Sequence, residues 1–187
     1  KTICKRYKGN QAHAEYLEQM AGKFFDLLQK YHGLGERERL LLRLAAILHD
    51  CGKFISMSAP GECAYQIIMS TEILGISHME REMVASIVRY NTMELPNFNE
   101  FDGKLGNDEY LIVMKLAAIL RVCNALDRSH RQKFADMKLT IKDSNIVITT
   151  AYPDNITLEK KTLQDKQDFF EEVYGLGFEI KQKKKKQ

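Results

Sequence analysis

Apolar positions in the first part of the chain recur at helical spacing. Ala14, Leu17, Met20, Ala21, Phe24, Leu27 and Leu28 fall three, four and seven apart, which predicts an amphipathic helix over residues 10–31, closed by Gly33 and Gly35. Residues 36–50 predict a second helix. Its run LLLRLAAIL shows no clean polar face, as expected of a helix at the centre of a bundle. Ser58, Pro60 and Glu62 mark a third helix start, leading into AYQIIMSTEIL and stopping near Gly75. The stretch SHME at 77–80 has the capping-box pattern and opens a helix through MVASIVRY that ends before Pro96. Residues 94–107 are polar and turn-rich, a loop or lid, and 108–130 form the longest helical stretch, again apolar enough to be buried.

After Ala135 the period changes from helical to alternating. Met137, Leu139 and Ile141 alternate with polar residues, KDSN turns the chain, and Ile146 and Ile148 alternate again, which predicts a hairpin. NITLEK and GFEIK predict further strands, separated by a helix over about 162–174 where Thr162 and Asp165 make another box. The expected fold class is mainly α: a helical bundle over 1–134, then a small α+β unit with a short antiparallel sheet over 135–180. Residues 181–187 are expected to be a flexible basic tail.

Composition fits this picture. The chain has 187 residues, 44% hydrophobic and 28% charged, which is ordinary for a globular protein with a sizeable core. No apolar run approaches the roughly 18 residues of a membrane span, and no secretory leader is visible. Cys4, Cys51, Cys63 and Cys123 are scattered without a CxxC, so neither a zinc knuckle nor a disulfide framework is indicated and a reducing cytoplasm is the expected location. The net charge of +3 comes from the end KQKKKKQ, which holds five lysines; the other residues carry 23 basic against 25 acidic groups. That balance argues against a nucleic-acid-binding fold, although the tail could meet polyanions non-specifically.

Chemistry concentrates at LLRLAAILHDCGKF, where an apolar helix ends on His49 and Asp50 before Gly52. Desolvating an imidazole and a carboxylate is costly unless something holds them. From the residues alone two accounts stay open: a hydrogen-bonded pair closing the helix, or ligands of a metal ion that would need further groups from other helices. His13 at the start of the first helix and the segment RVCNALDRSH late in the last are the available groups. Arg89, Arg121, Arg128 and Arg131 are read as solvated or paired, His78 as an exposed member of the capping box, and His130 as a cation suited to a helix end, not a ligand.

The stretches HAEYLEQMAGKFFDLL, HDCGKFIS, EILGISHMEREMVASIVRY, KLAAILRVCNALDRSH and FFEEVYG occur in order across nearly the whole chain. Together they resemble the HD superfamily of metal-dependent phosphohydrolases. More narrowly, they resemble the C-terminal helical region of the exopolyphosphatase/guanosine pentaphosphate phosphohydrolase (Ppx/GppA) family. The resemblance implies an HD-type bundle with metal positions at His13, His49, Asp50 and Asn124, where Asn124 stands at the place of an expected aspartate. Asp127 belongs to the separately matching LDRS, and Cys63 and Asn91 stand where richer sites carry histidines. One divalent ion (Mg, Mn, Zn, Fe or Ni) is the implied cofactor of this degenerate set.

The resemblance also implies a role. Phosphoanhydride hydrolysis in the family belongs to an N-terminal actin-like domain pair, and nothing in this chain resembles it. The chain is therefore expected to be a C-terminal piece of a longer protein that regulates, dimerises and binds polyanion, and to be inactive alone. Its expected partners are a second copy, the catalytic domains in cis, and polyphosphate or a phosphorylated guanosine nucleotide. The competing reading is an autonomous HD-type hydrolase of a nucleotide or phosphate ester, which a complete carboxylate set would favour.

Overall fold

The computed structural model describes residues 10–101 and 105–183. The basic lead-in at 1–9, part of the expected lid at 102–104, and residues 184–187 of the expected flexible tail lie outside the described residues.

Asn10 starts the first helix, α1 (Gln11–Leu27), its side-chain oxygen accepting from the His13 N–H at 3.1 Å. The predicted first helix is interrupted at Leu28, whose N–H is shared between the Phe24 and Phe25 carbonyls. A single short turn, α2 (Gln29–His32), then ends on Gly33 in the left-handed conformation at φ 65°. The central helix α3 (Glu36–Leu48) buries Leu41, Leu42, Ala45, Ala46 and Leu48 and leads into a 3₁₀ turn at Cys51–Phe54. Proline at the first position opens α4 (Pro60–Met69), which stops earlier than the apolar run allowed. The capping box forms as expected at α5 (His78–Arg89): Glu80 N–H donates to Ser77 Oγ at 3.1 Å and Ser77 N–H to the Glu80 carboxylate at 2.7 Å. The long helix α6 (Asn107–Leu126) is buried along most of its length.

The C-terminal part is a hairpin, a helix and a third strand. Strands β1 (Lys138–Lys142) and β2 (Asn145–Thr150) pair antiparallel, with Leu139 opposite Ile148 and Ile141 opposite Ile146. Their two-residue turn puts Asp143 and Ser144 at φ 48° and 58°, the twist a tight hairpin favours. Helix α7 (Thr157–Tyr174) then carries the chain to β3 (Gly177–Gln182), which pairs parallel with β2. The small sheet is thus mixed, in the order β1-β2-β3.

NITLEK, expected as a strand, starts α7 instead. Asn155 Oδ1 accepts from Thr157 N–H at 2.6 Å, and Glu159 is fully buried in the first turn. There it pairs with Lys133 Nζ at 2.9 Å and accepts from Ser129 Oγ at 2.5 Å. This buried triad lies beyond the reach of local alternation. Thr162, read as a cap, lies inside the helix and donates its hydroxyl to the Leu158 carbonyl at 2.8 Å.

One hydrophobic cluster runs through both parts of the molecule. It joins Phe24, Phe25, Leu42 and Leu116 of the helices to Ile146, Ile148 and Phe170. Phe178 of β3 meets Phe24 and Phe170 with ring centroids 6.5 and 4.7 Å away. Among the described residues no helix is long and apolar enough to cross a membrane.

The turn after α2 carries a pH dependence. His32 donates Nε2–H to the Phe25 carbonyl at 2.9 Å and accepts the Leu34 N–H on Nδ1 at 2.9 Å, so the neutral ring is fully used. Burial, foremost, lowers its pKa below the ordinary 6.5. Below that pH the unfolded chain takes up a proton that the folded chain resists, so this contribution to stability falls as the solution is acidified. Urea midpoints measured between pH 7 and 5 should therefore fall less steeply for His32→Asn than for the unmodified protein.

Candidate metal centre

His13 is brought to the bundle interior by the capped start of α1, and Asp127 by the C-terminal end of α6. The His13 ring donates Nδ1–H to the Asp127 carboxylate at 2.7 Å, and both residues are buried. The second Asp127 oxygen accepts from the Gln132 N–H at 2.7 Å. With Nδ1 committed, His13 Nε2 is left as a buried atom with no hydrogen-bond partner among the described residues. A carboxylate that fixes one ring nitrogen and bares the other is the usual support of a metal-binding histidine.

His49 repeats the arrangement at the end of α3. Its Nδ1–H donates to the Ala46 carbonyl at 2.8 Å, and Nε2 is buried without a hydrogen-bond partner. That nitrogen lies 3.2 Å from Asp50 Oδ1. The rings of His13 and His49 meet edge to face, centroids 5.0 Å apart. A helix-closing hydrogen bond between His49 and Asp50, one of the two accounts open from sequence, is therefore not formed. Two lone pairs and a carboxylate face one another instead. Burial pushes the His49 pKa well below the ordinary imidazole value, which keeps the ring neutral and its lone pair available.

Asp50 sits at the outer edge of the group. Burial opposes its ionised form, but the His49 ring and the Lys53 ammonium at 2.6 Å outweigh this and hold its pKa below the usual carboxylate value. The 3₁₀ turn that follows positions both residues. Gly52 is pressed so close to α4 that a Cβ there would lie 1.9 Å from the Pro60 carbonyl oxygen and 2.5 Å from the Ala64 nitrogen.

Three of the four residues singled out from the sequence are neighbours: His13, His49 and Asp50. Asn124 lies half-buried in the last turn of α6 and, among the described residues, makes no side-chain hydrogen bond. Two residues read differently from sequence belong to the cluster. Asp127 holds His13, and His130 stacks on it with centroids 3.8 Å apart and planes 12° from parallel. His130 was expected to face a helix dipole, but the helix ends four residues earlier and the chain turns back. The signal that marks Asp127 is its place: a carboxylate at the end of an otherwise apolar helix needs a buried partner.

Cys63 is half-buried, and Asn91 is buried with neither amide atom hydrogen-bonded. The arginines are mostly engaged. Arg89 pairs with Glu62 and lies over the Tyr65 and Tyr90 rings, while Arg121 donates to the Tyr90 and Met93 carbonyls and covers Phe169. Arg128 and Arg131 are exposed on the loop beside the centre, and Arg131 lines a cavity of ≈ 420 Å³ with Lys133, Tyr152 and Asn155.

The family model that matches this chain is Ppx/GppA phosphatase, domain III, over residues 1–168. The chain belongs to the Ppx/GppA phosphatase family. The match spans the helical body, the hairpin and most of α7. No curated protein matches the chain. The residues present fit a divalent ion: two buried imidazole nitrogens, without a hydrogen-bond partner among the described residues, beside a carboxylate are a Lewis-base set.

Proposed function

We propose that this domain III is the regulatory, dimerisation and polyanion-binding region of a Ppx/GppA-type exopolyphosphatase or guanosine pentaphosphatase, built around one divalent-ion centre. The observation that carries the reading is the pair of bare, buried Nε2 atoms on His13 and His49 beside Asp50, with an amide at Asn124 where the fourth group would be a carboxylate. Such a set supports binding of an ion but supplies little of the negative charge expected of a hydrolytic metal site. Lys53 beside Asp50, and the exposed Arg128 and Arg131 that flank His130 in the chain, are positive charge that supports the binding of a phosphate chain. The surface next to the 3₁₀ turn supports self-association: Phe54, Ile55 and Met57 are 54%, 59% and 76% exposed in consecutive positions or nearly so.

The competing reading is an autonomous hydrolase. A bound ion would supply Lewis-acid activation of a phosphate oxygen, and the partly open Asp50 edge would admit a substrate. Phosphate release separates the two. The metal-loaded chain is expected to liberate no phosphate from polyphosphate or guanosine pentaphosphate above the protein-free rate. Robust release that disappears in His49→Ala would establish the autonomous enzyme instead.

A further inference from the structure

Beyond Asp127 the chain reverses direction on itself. The His130 N–H donates to the Asp127 carbonyl at 2.9 Å, while the Gln132 N–H donates to the same residue's carboxylate at 2.7 Å. The reversal holds His130 and Gln132 in the left-handed region, at φ 55° and 51°. That conformation is uncommon outside glycine, persists only where its surroundings enforce it, and concentrates at functional sites. Its consequence here is to lay the His130 ring flat on His13 at 3.8 Å.

That placement brings a third imidazole to the cluster. One ligand atom each of His13, Asp50 and His130 lie within 4.8 Å of one another. The His130 ring also lies 3.5 Å from the Asn10 amide nitrogen, a long contact weak enough to yield to an ion. Asp127 is outside that group, and each of its oxygens already accepts a hydrogen bond, from His13 and from Gln132. Asn124 sits one helical turn earlier with no hydrogen bond to any member of the group.

We propose that His130, not Asn124, is the further ligand and joins His13 and Asp50, with His49 Nε2 at the edge of the set, 3.2 Å from Asp50. The inference rests on the metal reading above and specifies its ligand set. The unpartnered His13 Nε2, buried beneath the His130 ring, is the independent sign that an ion belongs there. The composition selects the metal class. Nitrogen-rich ligation suits zinc, iron(II) or nickel, whereas magnesium prefers an oxygen cage and keeps its waters.

Zinc titration by calorimetry, in the unmodified protein, His130→Asn and Asn124→Ala, tests the proposal. Asparagine tolerates the left-handed backbone, so His130→Asn removes the imidazole and keeps the loop, and thermal unfolding without metal checks that it does. The expected result is a loss of at least about tenfold in zinc affinity for His130→Asn, against less than about twofold for Asn124→Ala. Magnesium at millimolar concentration should not displace the zinc. Equal affinity in His130→Asn and the unmodified protein would overturn the inference while leaving the metal reading intact, as would a large loss confined to Asn124→Ala. An unmodified protein that binds no zinc, iron(II) or nickel would overturn both.

Discussion

Replacing Asp127 with alanine should cost about 3 kcal/mol of stability and at least about tenfold in divalent-ion affinity. The stability loss follows from what the carboxylate serves. It accepts from His13 Nδ1 at 2.7 Å in the interior and from the Gln132 N–H at 2.7 Å, and alanine leaves both donors without a partner. The affinity loss has a separate cause. Without the carboxylate the His13 ring can turn, or carry its proton on the nitrogen meant for the ion. Asp127→Asn separates the two effects, since it keeps the volume but can no longer accept from both donors as a carboxylate does. Urea denaturation and zinc calorimetry on both variants give the comparison. Unchanged zinc affinity in a folded Asp127→Asn protein would mean that Asp127 supports only the fold.

Gly52→Ala should be strongly damaging, destabilising by about 3 kcal/mol or more. The added methyl would fall 1.9 Å from the Pro60 carbonyl oxygen and 2.5 Å from the Ala64 nitrogen, both backbone atoms, and 3.0 Å from the Ala64 side chain. No side chain can move aside to make room, so the 3₁₀ turn or the start of α4 must shift. Because that turn directly follows His49 and Asp50, the centre should be disturbed together with the fold. Guanidinium denaturation measures the first and zinc binding the second. A loss of stability below about 1 kcal/mol would show that the turn is not packed against α4 in this way.

Much of this architecture is legible in the residues. The helical period of α1, the apolar runs of α3 and α6, the Ser77–Glu80 box and the alternation of the hairpin are local signals, and each marks an element that forms, although α1 breaks at Leu28 and α6 stops at Leu126. What local patterns do not carry is the outcome of distant pairings. The start of α7 depends on burying Glu159 against Lys133, 26 residues away, and β3 joins β2 in parallel only because α7 returns the chain to the same edge.

The candidate site divides in the same way. His13, His49 and Asp50 stand out as polar groups on apolar helices, and they meet. From sequence, Asp127 belongs to the LDRS stretch and His130 reads as a cation suited to the end of a helix over 108–130. The helix in fact ends at Leu126, and the left-handed turn after it folds the imidazole back onto His13. That choice is made by hydrogen bonds to Asp127, not by any period in the sequence.

The central claim is that His13, His49 and Asp50 hold a divalent ion, and metal analysis tests it most directly. Protein purified without chelator or added metal, then loaded with zinc and desalted, should retain about one ion per chain, and His49→Ala should retain almost none. Unmodified protein that retains no more metal than His49→Ala would contradict the account.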